Sequence, residues 1–350
     1  MSMKWTISPI AHFDRLVPKW DALNEAAGGL PFLHPRFVSP LCREFGDDNL
    51  RLALCEGAQG PLAIGILART GFGQWATFQP SQSPLGAWVM RPAEDWDRVL
   101  AGLARALPGL TLAIGVTQQD PDRVPRPADT PRLHTLDYIQ TARVSITGTF
   151  EDYWSARGKN LRHNMKRQRV KLAQDGVSTR LEILTRANEV GPALEEYGRL
   201  ESAGWKAGHG TAVHPDNAQG RFYRAMMEAY CGAGAGRIYR YRFGDRVVAI
   251  DLCIVGGGAL VILKTTYDES TKTMSPAFLM REEAFRGLFA ERTVRRIEFF
   301  GKLMEWHTRW TDDVRTLYHV NSYRSRLVPG LKSIAARVGG LGLPRQHEGV

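Results

Sequence analysis

The chain has 350 residues and carries 46 Lys and Arg against 36 Asp and Glu, a formal net charge of +10. With 43% hydrophobic and 23% charged residues, its composition excludes a disordered chain. This length is comfortable for two domains. No window approaches the ~20 continuous apolar residues of a membrane helix, and the first residues lack the apolar core of a signal peptide. We therefore expect a cytoplasmic protein without a membrane span.

The first half predicts two helices, three short strands separated by turns, a helix, a strand, a proline-rich loop and two further strands. In chain order, these elements are expected at 11–26, 35–46, 50–55, 62–68, 74–78, 92–106, 110–116, 117–131, 133–139 and 142–147.

The second half repeats this order of elements. It predicts two helices, three strands, a loop that ends in Pro276, a helix and a strand, at 186–206, 216–232, 237–243, 247–255, 259–266, 268–275, 277–291 and 296–300. The first strand of each three-strand set and the strand after the helix start 60 residues apart in the first half and 59 in the second. This predicts two tandem copies of one α/β (α+β) fold, each a mixed, mostly antiparallel sheet flanked by helices. The expected divisions are 1–140, 141–327 and a basic tail, 328–350.

The positive charge lies mainly in two segments. Residues 153–174 contain seven Lys or Arg and no acid, and residues 314–347 contain six and no acid, so the rest of the chain has a net charge of −3. The first segment reads as a helix opened by Thr149, with Asp152 three residues later. Leu161, Met165 and Leu172 form an apolar stripe, and the opposite side carries Lys159, Arg162, His163 and Lys166. This pattern fits either a solvated surface helix or a cationic wall that faces a polyanionic ligand.

Several common sites are disfavoured by spacing. The four cysteines show no CxxC pair and the nine histidines no HxxxH or HExxH pair, so we expect neither a metal nor a redox motif. GxxxxGK[ST] and GxSxG are also missing from the sequence, which disfavours a P-loop nucleotidase and an α/β-hydrolase.

The order of three strands, loop, helix and strand resembles the core of GNAT-type acyltransferases. In that fold the third strand and the strand after the helix splay apart around a thioester. The helix N-terminus presents N–H groups to the pyrophosphate of coenzyme A. The resemblance assigns this donor contact to Ser275, Ala277 and Phe278, although Pro276 removes one N–H donor. It also places Lys159, Arg162 and Lys166 beside the donor.

Motifs over about residues 145–322 are similar, in order, to those of the CelD/FemAB-like tandem GNAT proteins. They are Trp154, the run 159–164, Arg167, Glu201, Trp205-Lys206, Ala249, Tyr267-Asp268, Ser275-Pro276, the run 297–301, Trp306, Arg309 and Trp310. Trp306-His307 stands where the family often has a Tyr-Lys pair. The resemblance assigns acceptor contacts to Trp205, Lys206, Glu305, Trp306, His307 and Trp310.

Acyl transfer needs a base, an oxyanion donor and an acid. Glu298, amid apolar residues, is expected to have a raised pKa that suits a base, unless it lies on a solvated face of its strand. Asp251 is the second candidate base, or else a satisfied polar or substrate-orienting group. Lys264 suits oxyanion stabilisation or an acidic acceptor, or else a sheet edge. Tyr267 suits the acid, or else packing.

A basic nucleic-acid binder is disfavoured, because the basic segments lack regular aromatic interleaving. Three other functions stay open at this stage. The first is an N-acyltransferase that moves an acyl group from acyl-CoA or acetyl-CoA to an amine or hydroxyl of an envelope, polysaccharide or secondary-metabolite precursor. The acceptor is then a small molecule or a glycan or peptide precursor. The second is a FemAB-type transferase with an aminoacyl-tRNA donor, the case in which nucleic acid is a partner. The third is a non-catalytic binding module with decayed GNAT folds.

Overall fold

The first half is built from seven strands and three helices. The computed structural model describes residues 3–203 and 213–325. The strands are β1 (Lys4–Pro9), β2 (Arg51–Gly57), β3 (Gly60–Gly71), β4 (Gln74–Thr77), β5 (Trp88–Met90), β6 (Ala113–Gln119) and β7 (Leu133–Ser145). The helices are α1 (Phe13–Ala26), α2 (Pro35–Phe45) and α3 (Trp96–Ala106).

The second half, over the part of 146–325 that the structure describes, repeats this arrangement. Its helices are α4 (Phe150–Ser155), α5 (Lys159–Gln174), α6 (Ala187–Ala203), α7 (Ala218–Gly232), α8 (Pro276–Glu291) and α9 (Glu305–Thr308). Its strands are β8 (Thr179–Leu184), β9 (Gly236–Phe243), β10 (Arg246–Gly256), β11 (Ala259–Tyr267), β12 (Arg296–Glu298) and β13 (Val314–Tyr323).

The thirteen strands of the described residues form one sheet in which the two halves exchange a strand. The order is β1-β2-β3-β4-β6-β13-β7-β12-β11-β10-β9-β8, and β5 pairs with β3. β13, the last described strand, lies beside β6 of the first half, and β7 of the first half lies beside β12. Only the pairs β4–β6 and β11–β12 are parallel among these strands. The predicted mixed, mostly antiparallel sheet in two repeats is confirmed.

The basic segment forms two helices where one was predicted. Thr149 caps α4, because its hydroxyl accepts a bond from the Asp152 N–H at 3.1 Å and the Asp152 carboxylate accepts the Thr149 N–H at 3.3 Å. The chain breaks before Gly158, a poor helix former, which becomes the N-cap of α5. On α5 the predicted apolar stripe of Leu161, Met165 and Leu172 is buried.

The strand predictions were correct for the apolar runs of the chain. Elsewhere they were incomplete. The runs expected at 50–55, 62–68, 74–78, 237–243, 247–255 and 259–266 are strands. The two strands expected at 133–139 and 142–147 are one strand, β7. β1, β5, β8 and β13 were not predicted. The exposed and half-buried positions of β1 and β8 show why, since their apolar pattern is weak.

A common core joins the two halves. Phe37 of α2 packs edge-on against Phe222 of α7, with ring centroids 5.2 Å apart, and the Tyr230 hydroxyl donates to the carbonyl of Pro31. Both contacts belong to a buried cluster that contains residues of α1, α2, α6 and α7. The helices before each three-strand set therefore face each other between the halves.

The expected boundary at 140/141 falls inside β7, and the division into 1–140 and 141–327 stays a prediction. The tail 328–350 lies outside the described residues, as do residues 326–327. No helix in the described part of the chain is long and apolar enough to cross a bilayer.

Candidate functional site

The sheet of the second half opens between β11 and β12. The two parallel strands pair over three positions, from Ala259 with Arg296 to Val261 with Glu298. β11 then continues to Tyr267, whereas Phe300 adopts a left-handed backbone with φ 49° and turns the chain away. A left-handed backbone is strained for a non-glycine residue, and such strain is common at functional sites. The result is a splayed opening along residues 262–267 of β11.

The same opening is closed in the first half. By the strand pairing, Thr77 and Thr117 occupy the positions of Ile262 and Phe300. Their hydroxyl oxygens lie 2.6 Å apart in a hydrogen bond, and the Thr117 N–H donates to Thr77 Oγ1 at 3.0 Å. The ends of β4 and β6 are therefore tied together.

The first half fills the opening with its own chain. Eighteen residues connect β4 to α3, whereas eight connect β11 to α8. In the longer connection, the Gly86 N–H donates to the carbonyl of Thr117 at 3.1 Å. A Cβ at Gly86 would lie 2.3 Å from Thr77 Oγ1 and 2.6 Å from Thr117 Oγ1, so only glycine fits. The second half alone keeps a splayed pair of strands.

Arg281 of α8 spans the opening on one face of the sheet. Its Nε and Nη2 contact the Asp251 carboxylate at 3.2 and 3.3 Å, and Nη2 donates to Thr265 Oγ1 on β11 at 2.6 Å. The Trp306 ring covers the guanidinium at 4.5 Å. Arg281 and Asp251 are both buried. Nη1 of Arg281 has no hydrogen-bond partner among the described residues, which makes it a donor held beside the opening.

His307 packs next to this guanidinium as a neutral ring. It stacks on Trp306 with centroids 3.6 Å apart and lies edge-on to Phe299 at 4.9 Å. Burial, and then the charge of Arg281, lower the pKa of His307 to about 4. Nδ1 accepts the Met304 N–H at 2.9 Å, so the ring proton of the neutral form is on Nε2. This side chain is a hydrogen-bond donor at neutral pH.

Lys264 lies on the other face because of a β-bulge in β11. Leu252 is opposite Lys264 and Cys253 is opposite Ile262, which leaves Leu263 as the extra residue. The Lys264 ammonium lies 3.1 Å from Glu201 Oε1 of α6. The rings of Tyr197 and Tyr223 lie 5.7 and 5.4 Å from the same ammonium. Lys264 is thus held by an ion pair and two aromatic rings. It does not lie at an open sheet edge.

Glu201 connects this site to the chain that follows α6. Its second oxygen accepts the Val213 N–H at 2.8 Å, and its side chain is 2% exposed. Trp205 and Lys206, predicted to contact the acceptor, lie outside the described residues.

Glu298 is buried on the same face of the sheet as Lys264, since Glu298 pairs with Val261, a member of the shared core. Burial raises the pKa of Glu298, although Arg315 opposes this. Its Oε2 lies 2.9 Å from Arg315 Nη1, out of line for a hydrogen bond. The expectation of a raised pKa is confirmed, and the alternative of a solvated strand face is wrong.

The N-terminus of α8 offers few free donors. Pro276 has no N–H, and the N–H groups of Phe278 and Leu279 both donate to the carbonyl of Ser275, at 3.0 and 3.1 Å. Within this turn, at most the Ala277 N–H points outward. The cradle for a pyrophosphate is therefore weaker than a helix N-terminus normally offers.

α5 is anchored beside that turn with its cations outward. The Gln168 amide donates to the carbonyl of Thr273 at 2.9 Å. Lys159, Arg162 and Lys166 are exposed, and no carboxylate of the described residues forms an ion pair with them.

The remaining predicted residues have diverse surroundings. Tyr267 is 40% exposed at the end of β11. Glu305 is exposed and pairs with Arg309 at 2.8 Å. Trp310 is fully buried and stacks on Phe278 with centroids 5.5 Å apart, so its contacts are packing contacts. Their proposed roles stay predictions. In the part of the chain that the structure describes, no three His, Cys, Asp or Glu side chains come together as a metal site.

Comparison with known proteins identifies the part of the chain that carries this opening. Residues 159–308 match the acetyltransferase (GNAT) domain family. This segment, less than half of the chain, is therefore similar to a GNAT acetyltransferase domain. A comparison with curated protein sequences found no significant match.

Solved structures are similar in fold to this chain over both of its halves. The crystal structure of FemX is similar with a TM-score of 0.58 and 8% identity, over 95% of this chain and 99% of that chain. A conserved protein of unknown function from Bacteroides thetaiotaomicron is similar with a TM-score of 0.52 and 11% identity, over 92% and 100%. The C-terminal DUF2156 domain of a candidate lysylphosphatidylglycerol synthetase from Agrobacterium fabrum gives 0.52 and 13%, over 90% and 96%. At these identities the similarity is one of fold alone.

Sequence reasoning missed Arg281 and the role of Glu201. Arg281 lies in a helix without a clear apolar periodicity, and nothing local indicates that it bonds to residues 30 positions away. Glu201 was recognised as part of a motif but not as the partner of Lys264. The interruption of two apolar strands by Asp251 and Lys264 was the available signal, because a buried charge needs a partner.

Proposed function

We propose that the GNAT domain transfers an acyl group from acyl-CoA, with acetyl-CoA as the simplest donor, to an amine or hydroxyl acceptor. The observation that carries this proposal is the splayed opening between β11 and β12, flanked by Arg281 on one face and Lys264 on the other. The first half supports it by contrast, since Thr77, Thr117 and Gly86 close the equivalent opening.

The side chains around the opening suit the chemistry of acyl transfer. The free Nη1 of Arg281 would donate to the thioester carbonyl, on which negative charge develops as the acceptor attacks. Glu298, with its raised pKa, would take the proton that the attacking amine or hydroxyl loses. The carbon–sulfur bond then breaks, and Tyr267 would protonate the leaving thiolate.

The acceptor would enter on the face of Lys264 and Glu201, between the two halves. Acceptor contacts from Glu305, Trp306 and His307 of α9, which lies beside Arg281, stay part of the proposal, and the buried Trp310 would support them by packing. A small molecule, or a glycan or peptide precursor of the envelope, of a polysaccharide or of a secondary metabolite, fits this cleft between halves. A cytoplasmic location belongs to the same proposal, because acyl-CoA is made there.

A second candidate donor is aminoacyl-tRNA. The specific observation in its favour is the poor pyrophosphate cradle at Ser275 and Pro276, next to the exposed cations of α5. An RNA backbone needs cations more than it needs a helix N-terminus. The similarity of FemX in fold is compatible with this donor.

Calorimetric titration tests the donor. Acetyl-CoA, CoA and an aminoacylated RNA minihelix are titrated into the full chain. The triple variant Lys159→Gln, Arg162→Gln, Lys166→Gln is compared with a control of equal charge change, Arg180→Gln, Arg186→Gln, Arg199→Gln, at exposed positions elsewhere. We expect the first variant to bind the donor at least about tenfold more weakly and the control to match the native chain.

The outcomes separate the alternatives. Tight acetyl-CoA binding supports the first proposal, and binding of the minihelix alone supports the second. Donor binding without turnover on any amine or hydroxyl supports a non-catalytic binding module. If neither donor binds, the transferase proposal is wrong.

A further inference from the structure

One end of the first half exposes apolar side chains at the tips of two turns. Phe72, in the hairpin between β3 and β4, is 75% exposed, and Leu110, in the turn after α3, is 46% exposed. The two turns are bonded to each other, because the N–H groups of Leu112 and Ala113 donate to the carbonyl of Gly73 at 2.7 and 3.1 Å. Both apolar tips therefore belong to one small surface.

Two further segments complete this surface. The Arg324 N–H donates to the carbonyl of Leu112 at 3.0 Å, and the Tyr323 N–H donates to the carbonyl of Arg132 at 2.7 Å. These bonds bring the end of β13 and the start of β7 beside the two turns.

The four segments supply only positive charge. Residues 69–75, 104–112, 131–133 and 321–325 contain no Asp or Glu, and they carry the exposed arginines Arg69, Arg105, Arg132 and Arg324. None of these arginines forms an ion pair with a described residue, whereas Arg126, which contacts Asp137 of β7, is paired. The neighbouring carboxylates Asp97 and Asp129 accept bonds from Thr130 and Thr135.

We propose that this cationic end, defined by Phe72, Leu110, Arg69, Arg105, Arg132 and Arg324, docks on an anionic phospholipid surface. Exposed apolar side chains at turn tips insert into the interface of a bilayer, and arginines around them bind its phosphate groups. These arginines form no ion pair with a described residue, so binding would break none of the ion pairs that the structure shows.

The chemistry favours lipid over a folded protein or RNA. A protein partner would be expected to offer carboxylates to four arginines and a pocket to each tip, whereas a bilayer satisfies both needs at any lateral position. Single-stranded RNA binding uses exposed aromatic rings as stacking platforms, whereas the two exposed turn tips of this end carry one phenylalanine and one leucine. The inference goes beyond the proposed function and does not depend on it.

Co-sedimentation with vesicles tests the proposal on the full chain. The vesicles contain phosphatidylcholine alone or phosphatidylcholine with 40% phosphatidylglycerol. We expect binding to the anionic vesicles that falls as salt increases. Changing all four arginines to Gln is expected to lower the partition coefficient on the order of a thousandfold, and Phe72→Ser with Leu110→Ser at least about tenfold.

Matched controls locate the effect. Val170→Ser with Ile183→Ser removes two exposed apolar side chains from the second half, and Arg180→Gln, Arg186→Gln, Arg199→Gln removes exposed arginines there. Both should bind vesicles like the native chain, and all variants should melt within a few degrees of it. The proposal is wrong if the native chain does not bind anionic vesicles, or if variants of this end bind as well as the controls. Binding of an RNA oligomer in place of vesicles, lost in the same variants, would also overturn it.

Discussion

Arg315 of β13 donates two hydrogen bonds, 3.0 and 2.8 Å long, to the carboxylate of Asp120 in the first half. Both side chains are buried, and the same guanidinium lies 4.8 Å from the Phe300 ring. This ion pair joins the exchanged strand to the loop that follows β6. Between residues 195 positions apart, this contact adds to the strand pairing that holds β13 beside β6, and it lies next to Glu298.

Removing one partner of this pair should destabilise the whole chain. Arg315→Met leaves the buried carboxylate of Asp120 without the guanidinium that bonds to it, and leaves Glu298 only the more distant Arg296, at 3.6 Å. We expect the free energy of unfolding in urea to fall by about 3–5 kcal/mol. Lys19→Met, at the more exposed pair with Glu56, is the control and should cost about 0–1 kcal/mol. Equal effects of the two substitutions would show that Arg315 does not hold the halves together.

Glu298→Gln should separate catalysis from donor binding. The amide keeps the shape of the side chain but cannot take a proton at neutral pH. We expect kcat to fall about 10²- to 10⁴-fold and the Kd of the donor, by titration, to stay unchanged. Glu282→Gln changes another buried carboxylate, which pairs with Arg169 at 3.0 Å, and should keep its activity. Unchanged turnover of Glu298→Gln would remove Glu298 from the mechanism.

Arg281→Lys should affect the acylated donor specifically. Lysine keeps the charge near Asp251 but loses the planar fork that holds Nη1 in place. If Nη1 contacts the thioester carbonyl, acetyl-CoA should bind at least about tenfold more weakly, because that hydrogen bond is to a developing or partial negative charge. CoA without an acyl group should bind as before. Arg286→Lys, on the same helix and half exposed, is the control, and an equal loss for both ligands would contradict the assignment.

Gly86→Ala should reveal how tightly the first half is closed. The new methyl group would lie 2.3 Å from Thr77 Oγ1, and we expect a loss of about 1–3 kcal/mol in the free energy of unfolding. Gly287→Ala on α8 meets no atom within 4 Å and should stabilise the chain by about 0.5–1 kcal/mol. Donor binding should not change in either variant, since the proposed site is in the other half.

His307 should make stability depend on pH in the acid range. Burial lowers its pKa from 6.5 to about 4, so the unfolded chain takes up a proton that the folded chain refuses. The stability it contributes is complete above about pH 6.5 and is lost as pH falls from 6.5 toward 4. His307→Asn should therefore show a smaller fall in Tm between pH 7 and pH 5 than the native chain. His214→Asn, an exposed histidine, should not, and an identical fall in His307→Asn would contradict the prediction.

Local sequence patterns were sufficient to predict much of the secondary structure of the second half. The apolar runs that became β9, β10 and β11, the proline that starts α8 and the stripe on α5 each depend on residues a few positions apart. The raised pKa of Glu298 also followed from its apolar neighbours. The break before α5 and the single long strand β7 could not be predicted from local patterns, because helix and strand ends are decided by packing as well as by propensity.

The contacts around the opening could not be predicted from the sequence. Lys264 meets Glu201 because a bulge in β11 turns it to the face of α6. Arg281 meets Asp251 because α8 crosses the open end of β11. A short stretch of sequence does not specify the register of a sheet or the position at which a helix crosses it.

The sequence by itself determined the tandem α/β repeat, the order of its elements and the two-faced basic helix, since these follow from periodicity and local charge. Only the tertiary structure decided that β7 and β13 change places, that Thr77 and Thr117 close one opening, and that the other lies between Arg281 and Lys264. These features depend on long-range contacts. Buried charges and strand edges need partners, and the folded geometry, not the distance along the chain, determines which residues those partners are.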